Sequence, residues 1–382
     1  MMIPIWAAAT FCILATALHL ASIIIAIIRC KAPAVFRPAH RHAPPVSLVR
    51  PVCGLENHVE ATLGSAFDLD YPRYEIIFCV ASAQDPAVPT VRRLISEHPD
   101  VPARLLIGNE VISDNPKLNN CVKGWRAASH DWIVLADSNV FMPRDYIQRL
   151  LGAWRPDTGL VCSPPVGCRP EGFAAEVECA FLNTYQARVQ YTADAVGFGF
   201  AQGKTMLWNR AILEHVGGIR ALASELAEDA ASTKVVRGAG LRVRLVDAPF
   251  EQPLGFRSTK DVWRRQVRWA RLRRDSFKLF FVPEILAGAV WPLVAAAFIA
   301  FQSDLPLAGV PALAAAWYGS EAILAWVAGW HLSIRSPLAW MVRDLLLPAL
   351  WCSGWLGSAF VWRGNEMLIQ ASSEPSVTRR GA

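Results

Sequence analysis

The sequence contains few charged residues, and several long stretches contain none. Asp, Glu, Lys and Arg make up 18% of the 382 residues, against about a quarter in an average soluble domain. The first 28 residues include no charged side chain, and a helix that crosses the bilayer core needs about 20 apolar residues. A cleaved signal peptide is the weaker interpretation, because a basic start is lacking and the apolar part is too long. Residues 1–28 therefore predict a transmembrane helix.

The sequence also lacks the cysteine spacings of metal sites. None of the nine cysteines belongs to a CxxC pair. Several lie in apolar runs, as Cys79 does, which is typical of reduced cysteines used as small core residues in a reducing compartment. Zinc-finger spacings and aromatic-basic RNA motifs are missing too, so the net charge of +6 does not indicate nucleic acid. Because this charge lies beside apolar segments, it indicates an anionic membrane surface.

The basic residues after the first segment predict its orientation. Arg29, Lys31, Arg37 and Arg41 lie in a basic linker at 29–45. The positive-inside rule keeps such a flank in the cytosol. We therefore expect a multi-pass membrane protein, such as one of a bacterial inner membrane, with its large domain on the cytosolic side.

Residues 46–256 predict that large domain. Short apolar runs, bounded by Pro, Gly, Asp or Asn, alternate with helical patterns. The runs lie at 46–52, 74–80, 104–107, 132–136 and 160–162, and the helical patterns near 57–67, 88–98, 117–129 and 144–154. This alternation predicts an α/β domain with a mainly parallel sheet, whose ligands bind at the carboxyl ends of the strands.

The C-terminal third predicts further contact with a membrane. At 257–282, basic residues alternate with apolar ones, which predicts an amphipathic helix in the membrane interface; a basic helix packed on the domain is the alternative. Residues 283–364 hold apolar segments that predict two or three transmembrane or re-entrant segments, followed by a polar tail at 365–382. Glu321 lies within one such segment and is costly in lipid, so we expect it to face protein or water.

Two aspartates follow predicted strands. Asp85 comes shortly after the run that ends at Val80 and can accept hydrogen bonds from a base or ribose. Asp137 begins the sequence Asp137-Ser138-Asn139, which offers hard oxygen ligands for a divalent cation that bridges a diphosphate. The alternative for both is an ordinary turn.

Two other charged residues fall at predicted helix starts. Lys117 is suitably placed for a phosphate, assisted by backbone N–H groups; a solvated lysine at an ordinary cap is the alternative. Asp229, which follows Glu228, can act as the general base that deprotonates a hydroxyl. Acidic residues at helix starts are also favoured by the helix dipole alone.

The segment Arg265-Gln266-Val267-Arg268-Trp269 combines charge with an aromatic ring. Arg265 and Arg268 are three residues apart, so a helix presents both on one face, where two guanidinium forks match the oxygens of a leaving diphosphate. Trp269 can stack on a ligand. The alternative is that all three belong to the basic stripe at 257–282.

The order of these residues resembles a known set. Asp85, Asp137, Asp229 and the segment 265–269 resemble the D, D, D, (Q/R)xxRW motifs of inverting GT-A glycosyltransferases. Longer stretches resemble the ceramide glucosyltransferase family over about residues 46–275. These stretches are Asp85-Pro86-Ala87, Ala103-Arg104-Leu105, Asn115-Pro116-Lys117, Asp137-Ser138 and Ala227-Glu228-Asp229.

The resemblance implies a fold, ligands and roles. The fold is GT-A, the Rossmann-like α/β fold of nucleotide-diphospho-sugar transferases, here with N- and C-terminal transmembrane helices. The ligands are a UDP-sugar donor, a divalent cation (Mg²⁺ or Mn²⁺) and a membrane lipid acceptor, ceramide. Asp85 would hold the uridine side, Asp137 the metal and diphosphate, and Asp229 would be the base. Arg265, Arg268 and Trp269 would close on the diphosphate and acceptor.

The sequence departs from the pattern of the animal members. Gln84-Asp85 replaces paired aspartates, Asp137-Ser138-Asn139 replaces Asp-x-Asp, and 181–191 lacks a histidine found near the acceptor. A glycosyltransferase for hopanoid lipids is the nearest alternative. A processive polysaccharide synthase shares the motifs but generally has more spans, and a non-catalytic scaffold is opposed by the retained aspartates and RxxRW segment.

Overall fold

The chain begins with one long helix. The computed structural model describes residues 2–31, 43–303, 305–357, 359–362 and 365–368. Helix α1, Met2–Lys31, has 30 residues and is about 45 Å long at 1.5 Å per residue, which exceeds the thickness of a bilayer core. Residues 32–42 of the predicted linker and 369–382 of the predicted tail lie outside the described residues.

Nine strands belong to the domain that follows. They are β1 (Val46–Pro51), β2 (Tyr74–Val80), β3 (Ala103–Ile107), β4 (Trp132–Ala136), β5 (Thr158–Cys162), β6 (Val166–Glu171), β7 (Thr205–Asn209), β8 (Arg242–Leu245) and β9 (Glu251–Phe256). Seven of them form one sheet in the order β3-β2-β1-β4-β7-β5-β8, and β6 pairs with β9 alone. The five predicted strands are confirmed as β1 to β5.

The sheet is mixed rather than simply parallel. The pairs within β3-β2-β1-β4 and the pair β5-β8 are parallel, as the alternation of strands and helices predicts. Strand β7 runs antiparallel between β4 and β5, and sequence analysis did not predict it. Because of this reversal, the start of β7 lies at the sheet edge where β4 ends.

Helices cover both faces of the sheet. They are α2 (Val59–Gly64), α3 (Val88–Glu97), α4 (Pro116–Ala127), α5 (Tyr146–Gly152), α6 (Phe173–Ala180), α7 (Arg188–Ala195), α8 (Arg210–His215) and α9 (Glu228–Gly238). A π-helical segment, Phe181–Ala187, joins α6 to α7, and a 3₁₀ segment spans Ile219–Ser224. The four predicted helices are confirmed as α2 to α5.

The alternation of side chains along each strand separates two cores. Leu48 and Val49 are adjacent in β1, yet they belong to different buried clusters, because successive strand residues point to opposite faces. Leu48 packs in the cluster that contains Phe78, and Val49 in the cluster that contains Trp125. The second cluster continues into the helices of the chain ends.

The C-terminal part is helical. Its elements are α10 (Thr259–Ser276), α11 (Lys278–Phe281), a 3₁₀ segment (Val282–Leu286), α12 (Val290–Gln302), α13 (Gly309–Ala328), α14 (Ser336–Trp355) and the hairpin of β10 (Ala359–Trp362) and β11 (Asn365–Leu368). Helix α1 packs against α12 and α13. The last turn of α1 is also attached to the domain, since Arg29 donates to Asp247, to Asp194 at 2.8 Å and to Leu245 O at 2.7 Å.

Two described helices are long and apolar enough to cross a membrane, Pro4–Lys31 and Gly309–Ala328. Lys278–Leu286 and Val290–Gln302, bent by 40°, would make a third if counted together. Residues 345–362, which carry no charge, form the second half of α14 and a strand. Helix α14 packs against α6 and α10 with a face that includes the buried Arg343 and Asp344, while Leu338, Met341 and Leu345 on it are exposed.

Glu321 faces protein, as predicted. It is fully buried in α13, and its two carboxylate oxygens accept from Arg343 of α14 at 2.9 Å each. Thr184 of the π-helical segment donates to Glu321 at 2.6 Å and accepts from Arg343 at 2.8 Å. A buried ionic network thus joins α13 and α14 to the domain.

Candidate active site

The carboxyl ends of the strands gather the polar residues. Asp137 directly follows β4, and Asp85 lies in the loop after β2. The reversed β7 brings Gly203 and Lys204 to the same edge, where Asp137 N donates to Lys204 O at 3.0 Å. Residues far apart in sequence therefore meet at one edge of the sheet, as expected for an α/β domain.

Lys117 lies at the centre of this group. Its helix, α4, starts where Asn115 caps it, with the side chain of Asn115 accepting from the backbone N–H of Lys117 at 2.9 Å. The Lys117 ammonium then contacts Asp137 at 2.7 Å and Glu228 at 2.6 Å, and donates to Gly203 O. The same Asn115 side chain donates to Glu228 at 2.7 Å. The Asn115 side chain thus positions both Lys117 and its acidic partner Glu228.

A second lysine engages the other oxygen of Asp137. Lys204 lies 2.9 Å from Asp137 Oδ2 and also donates to Asn139 at 3.2 Å. Although burial raises it, these two ammonium groups hold the pKa of Asp137 well below its ordinary value. Burial lowers the pKa of Lys117, but Asp137 and Glu228 outweigh that effect and raise it well above its ordinary value. Lys117 therefore stays charged at neutral pH, and the two neighbouring lysines suit an anion.

Asp229 is in a different electrostatic setting. Its carboxylate accepts from Gly203 N at 3.1 Å and from Ala230 N at 2.8 Å. Burial, followed by the charge of Glu228, raises the pKa of Asp229 to about 6. A carboxyl with a raised pKa is a better proton acceptor than an ordinary aspartate, yet it is still mostly ionised at neutral pH.

Asp85 contacts the backbone of two loops. Both carboxylate oxygens accept from Gly54 N at 3.0 Å, and one also accepts from Ala87 N at 2.9 Å. The turn role considered from the sequence is therefore present. The side chain is half-buried and fixes the loops that follow β1 and β2. Its predicted contact with uridine stays a prediction.

The segment 265–269 is helical, within α10, but its residues are distributed differently. Arg265 contacts the fully buried Glu178 of α6 at 2.8 Å. Arg268 is half-buried on the next turn. Trp269 lines the cavity that also contains Asp229. The structure thus brings Trp269 and Asp229 together, and it places Arg265 in an ion pair within the protein.

Sequence analysis missed Arg50 and Lys204. Arg50 is fully buried in β1 and donates to the backbone oxygens of Asp137 and Val140 at 3.0 Å and of Thr62 at 2.7 Å. It therefore holds the loop that carries Asp137. An arginine inside a mostly apolar strand was the available signal, while Lys204 offered none, since the strand β7 that follows it was not predicted.

An apolar cavity adjoins the polar group. Its volume is about 340 Å³, and it lies between the π-helical segment, α7, α9, α10 and α11. Most of its wall is hydrophobic, with Tyr185, Phe198, Phe200, Leu272, Phe277 and Phe280 among the lining residues. Asp229 and Glu284 both belong to this wall. Glu284 is paired with Arg273 at 2.8 Å, whereas Asp229 contacts the loop of Gly203.

Asp137 suits a divalent cation whose other ligands are substrate phosphates and water. Its two carboxylate oxygens contact lysines, and among the described residues no group of three or more His, Cys, Asp or Glu side chains is arranged to hold a metal ion. Mg²⁺ is usually bound by one or two carboxylates together with substrate phosphates and water. The residues present therefore suit a cation that is bound jointly with a diphosphate.

The chain belongs to glycosyl transferase family 21, whose model matches residues 14–374, and it is therefore a glycosyltransferase. Ceramide glucosyltransferase 3 of Caenorhabditis elegans is 27% identical over 337 residues, which cover 84% of this chain and 72% of that protein. Ceramide glucosyltransferase 1 of the same organism is 28% identical over 249 residues, covering 65% and 53%. The predicted resemblance is thus confirmed.

Several solved structures are also similar, and one of them spans most of this chain. It is a mannosyltransferase from Pyrobaculum calidifontis in complex with GDP-Man and Mn²⁺. It is 19% identical, with a TM-score of 0.48 and coverage of 91% of this chain and 97% of that chain.

Proposed function

We propose that the protein transfers a hexose from a UDP-sugar to the hydroxyl of a membrane lipid, with ceramide as the acceptor and inversion at the sugar carbon. The observation that carries the proposal is the apolar cavity of about 340 Å³ with Asp229 in its wall. Its volume lies at the lower end of the range of ligand pockets. Membership of family 21 and the names of the relatives support the same acceptor class.

The donor belongs on the polar side of Asp229. Lys117 and Lys204 supply two positive charges for a diphosphate, and Asp137 would hold a divalent cation there. Such a cation supplies charge neutralisation of the leaving diphosphate. Asp85 lies on the uridine side by its place in the motif order, and Arg268 of α10 is proposed to approach the diphosphate.

The chemistry then needs one proton acceptor. The acceptor hydroxyl gives its proton to Asp229 while its oxygen bonds to the anomeric carbon of the sugar. The bond between that carbon and the diphosphate breaks, and the diphosphate leaves with the electron pair. Because Asp229 faces the cavity, the hydroxyl attacks from the acceptor side, away from the lysines. Displacement from the opposite side inverts the sugar carbon.

The hopanoid and polysaccharide alternatives can be distinguished from the proposal by identifying which acceptor receives the sugar. Purified full-length protein in lipid vesicles would be given a panel of UDP-sugars with ceramide, a hopanoid alcohol or no added lipid. Mass spectrometry of the products identifies the sugar and the lipid, and repeating the reaction with EDTA tests the cation. We expect hexosylceramide. A hopanoid product, or a polymer formed without added lipid, would contradict the proposal.

A further inference from the structure

The apolar cavity is bordered by two exposed phenylalanines. Phe198 and Phe280 both line it, their side chains are 55% and 58% exposed, and their ring centroids are 6.4 Å apart. Val189, another lining residue, is also exposed. Neighbouring exposed apolar side chains of this size typically mark a surface that contacts another apolar phase.

The loop that carries Phe198 is held in place. Phe198 N donates to Ala193 O at 2.7 Å, and Arg237 donates to the backbone oxygens of Phe198 and Gly199 at 3.0 and 3.1 Å. A side chain at Gly199 would meet Val243 O at 2.3 Å, so the loop lies directly on β8. The exposed ring is therefore presented from a fixed backbone.

Phe280 comes from the membrane side of the molecule. It lies in Lys278–Leu286, the first half of the bent helix pair that is apolar enough to count as a span. Leu279 and Leu286 of the same segment are exposed as well. The border formed by Phe198 and Phe280 is thus continuous with an apolar surface suited to the bilayer.

The size of the cavity leaves part of a lipid outside. A volume of about 340 Å³ is that of a site for a compact ligand, whereas a membrane lipid with long hydrocarbon chains is much larger. A hydroxyl that reaches Asp229 must therefore belong to a molecule whose chains extend out of the cavity. Hydrocarbon chains remain in apolar surroundings, because exposing them to water is unfavourable.

We infer that Phe198 and Phe280, whose rings contact each other, form one side of a lateral portal through which the acceptor lipid enters. The headgroup passes along this side to Asp229, and the hydrocarbon chains stay against the two rings and in the bilayer. This inference rests on the proposed lipid acceptor. It adds the route of entry. It also predicts that replacing Phe198 and Phe280 reduces transfer more for acceptors with longer hydrocarbon chains.

The test compares two double variants of the full-length protein in lipid vesicles. The first is Phe198→Asn with Phe280→Asn. The matched control is Val196→Asn with Leu279→Asn, since Val196 and Leu279 are 63% and 87% exposed, lie beside the two phenylalanines and do not line the cavity. Each is assayed with long-chain ceramide in the membrane and with a short-chain, water-dispersible ceramide.

We expect the phenylalanine double variant to use the long-chain acceptor about tenfold less well, given the transfer free energy of a phenyl ring. Short-chain transfer by this variant should remain within about twofold of wild type, because a short acceptor has no long chains to contact the two rings. Both activities of the control variant should also remain within about twofold, because it keeps both rings. Phe198→Leu with Phe280→Leu should restore long-chain transfer.

Other outcomes would overturn the portal. Equal loss with both acceptors would indicate a general defect of the fold, and equal loss in both double variants would indicate general membrane contact. Unchanged long-chain transfer would also overturn it. If the wild type glycosylates neither ceramide, the proposed function itself fails, and this result is distinguishable because it precedes any comparison of variants.

Discussion

At the scale of single residues, Glu228 and Asp229 are adjacent carboxylates with different partners. Glu228 contacts Lys117 at 2.6 Å and accepts from Asn115 at 2.7 Å. Asp229 accepts hydrogen bonds from the backbone N–H groups of Gly203 and Ala230 and faces the cavity. Glu228 is therefore suited to positioning Lys117, and Asp229 is suited to proton transfer.

Replacing Asp229 by asparagine tests this division. We expect Asp229→Asn to abolish transfer while UDP binding stays nearly intact, because general-base catalysis contributes about 10²–10⁴-fold to the rate. Product formation and calorimetric UDP binding would be measured on the same preparation. The matched variant Glu228→Gln should change the donor KM more than turnover, since it removes the carboxylate that positions the Lys117 ammonium. Near-normal turnover of Asp229→Asn would place the base elsewhere, with Glu228 as the next candidate.

The pH dependence of the rate should reflect the same carboxyl. Burial and the charge of Glu228 raise the pKa of Asp229 to about 6. A general base acts only when deprotonated, so kcat/KM should be level above pH 7 and fall as the pH drops through 6. The limiting slope is tenfold per pH unit. If kcat/KM fell only around pH 4, Asp229 would have the pKa of an ordinary aspartate.

Arg268 is predicted to need its guanidinium and not only its charge. A planar guanidinium can contact two diphosphate oxygens, whereas an ammonium acts as a point charge. Since the leaving group gains charge in the transition state, Arg268→Lys should reduce turnover more than donor affinity. The measurement is kcat and donor KM in a detergent-lipid assay.

The neighbouring arginines of α10 provide the control. Arg271 donates to Leu356 O at 2.6 Å and Arg274 to Gly354 O at 2.9 Å, both at the end of α14. Lysine at either position should have a mild effect, because it retains a positive charge beside those carbonyls. Equal, mild effects at all three positions would leave α10 as a packing or anchoring helix.

At the scale of elements, the Glu321–Arg343 pair connects α13 with α14. Both side chains are buried, and Thr184 of the π-helical segment bonds to both. Tyr185 and Gln186 follow Thr184 and line the cavity. The ionic network therefore supports the wall of the proposed acceptor site from the side of the apolar helices.

Removing one partner should cost more than removing both. We expect Arg343→Met to destabilise the protein by about 3–5 kcal/mol, because it leaves two buried carboxylates, Glu321 and Asp344, without their cation. The double variant Arg343→Met with Glu321→Leu should recover part of that loss, because it removes one of those two carboxylates. Thermal unfolding in detergent micelles would measure both. Additive losses in the double variant would show that the two side chains do not depend on each other.

At the scale of the whole molecule, α1, α12 and α13 pack together beside the sheet domain. Arg29 at the end of α1 pairs with Asp194 at 2.8 Å and with Asp247. The C-terminal end of α1 therefore lies against the domain. The loop after α13 does as well, because His331 contacts Glu176 of α6 at 2.8 Å. The C-terminal ends of α1 and α13 therefore lie on the same side of the molecule, next to the domain.

We predict that this side is cytosolic. A reporter fused after residue 44 should be active in the cytosol, since basic flanks such as Arg29 and Lys31 favour that orientation. A membrane-impermeant thiol reagent should reach the exposed Cys53 only after permeabilisation, whereas Cys121 is buried and cannot report. A reporter active only on the outer side would contradict this topology.

The sequence by itself determined the local elements and the order of the site. Apolar periodicity identified β1 to β5, α2 to α5 and the long apolar helix α1, because these patterns depend on residues close together in the chain. Asp85 and Asp137 were placed at strand ends for the same reason. The order of the motifs along the chain indicates the family without any tertiary contact.

The tertiary structure alone decided which of these residues meet. Lys117 and Lys204 both contact Asp137 because β7 runs antiparallel beside β4, and strand direction depends on long-range packing rather than on local pattern. Arg265 met Glu178 instead of lying open toward a ligand, since α10 packs on α6. The cavity and its bordering rings, Phe198 and Phe280, arise from segments about 80 residues apart, and only their packing creates an apolar site beside Asp229.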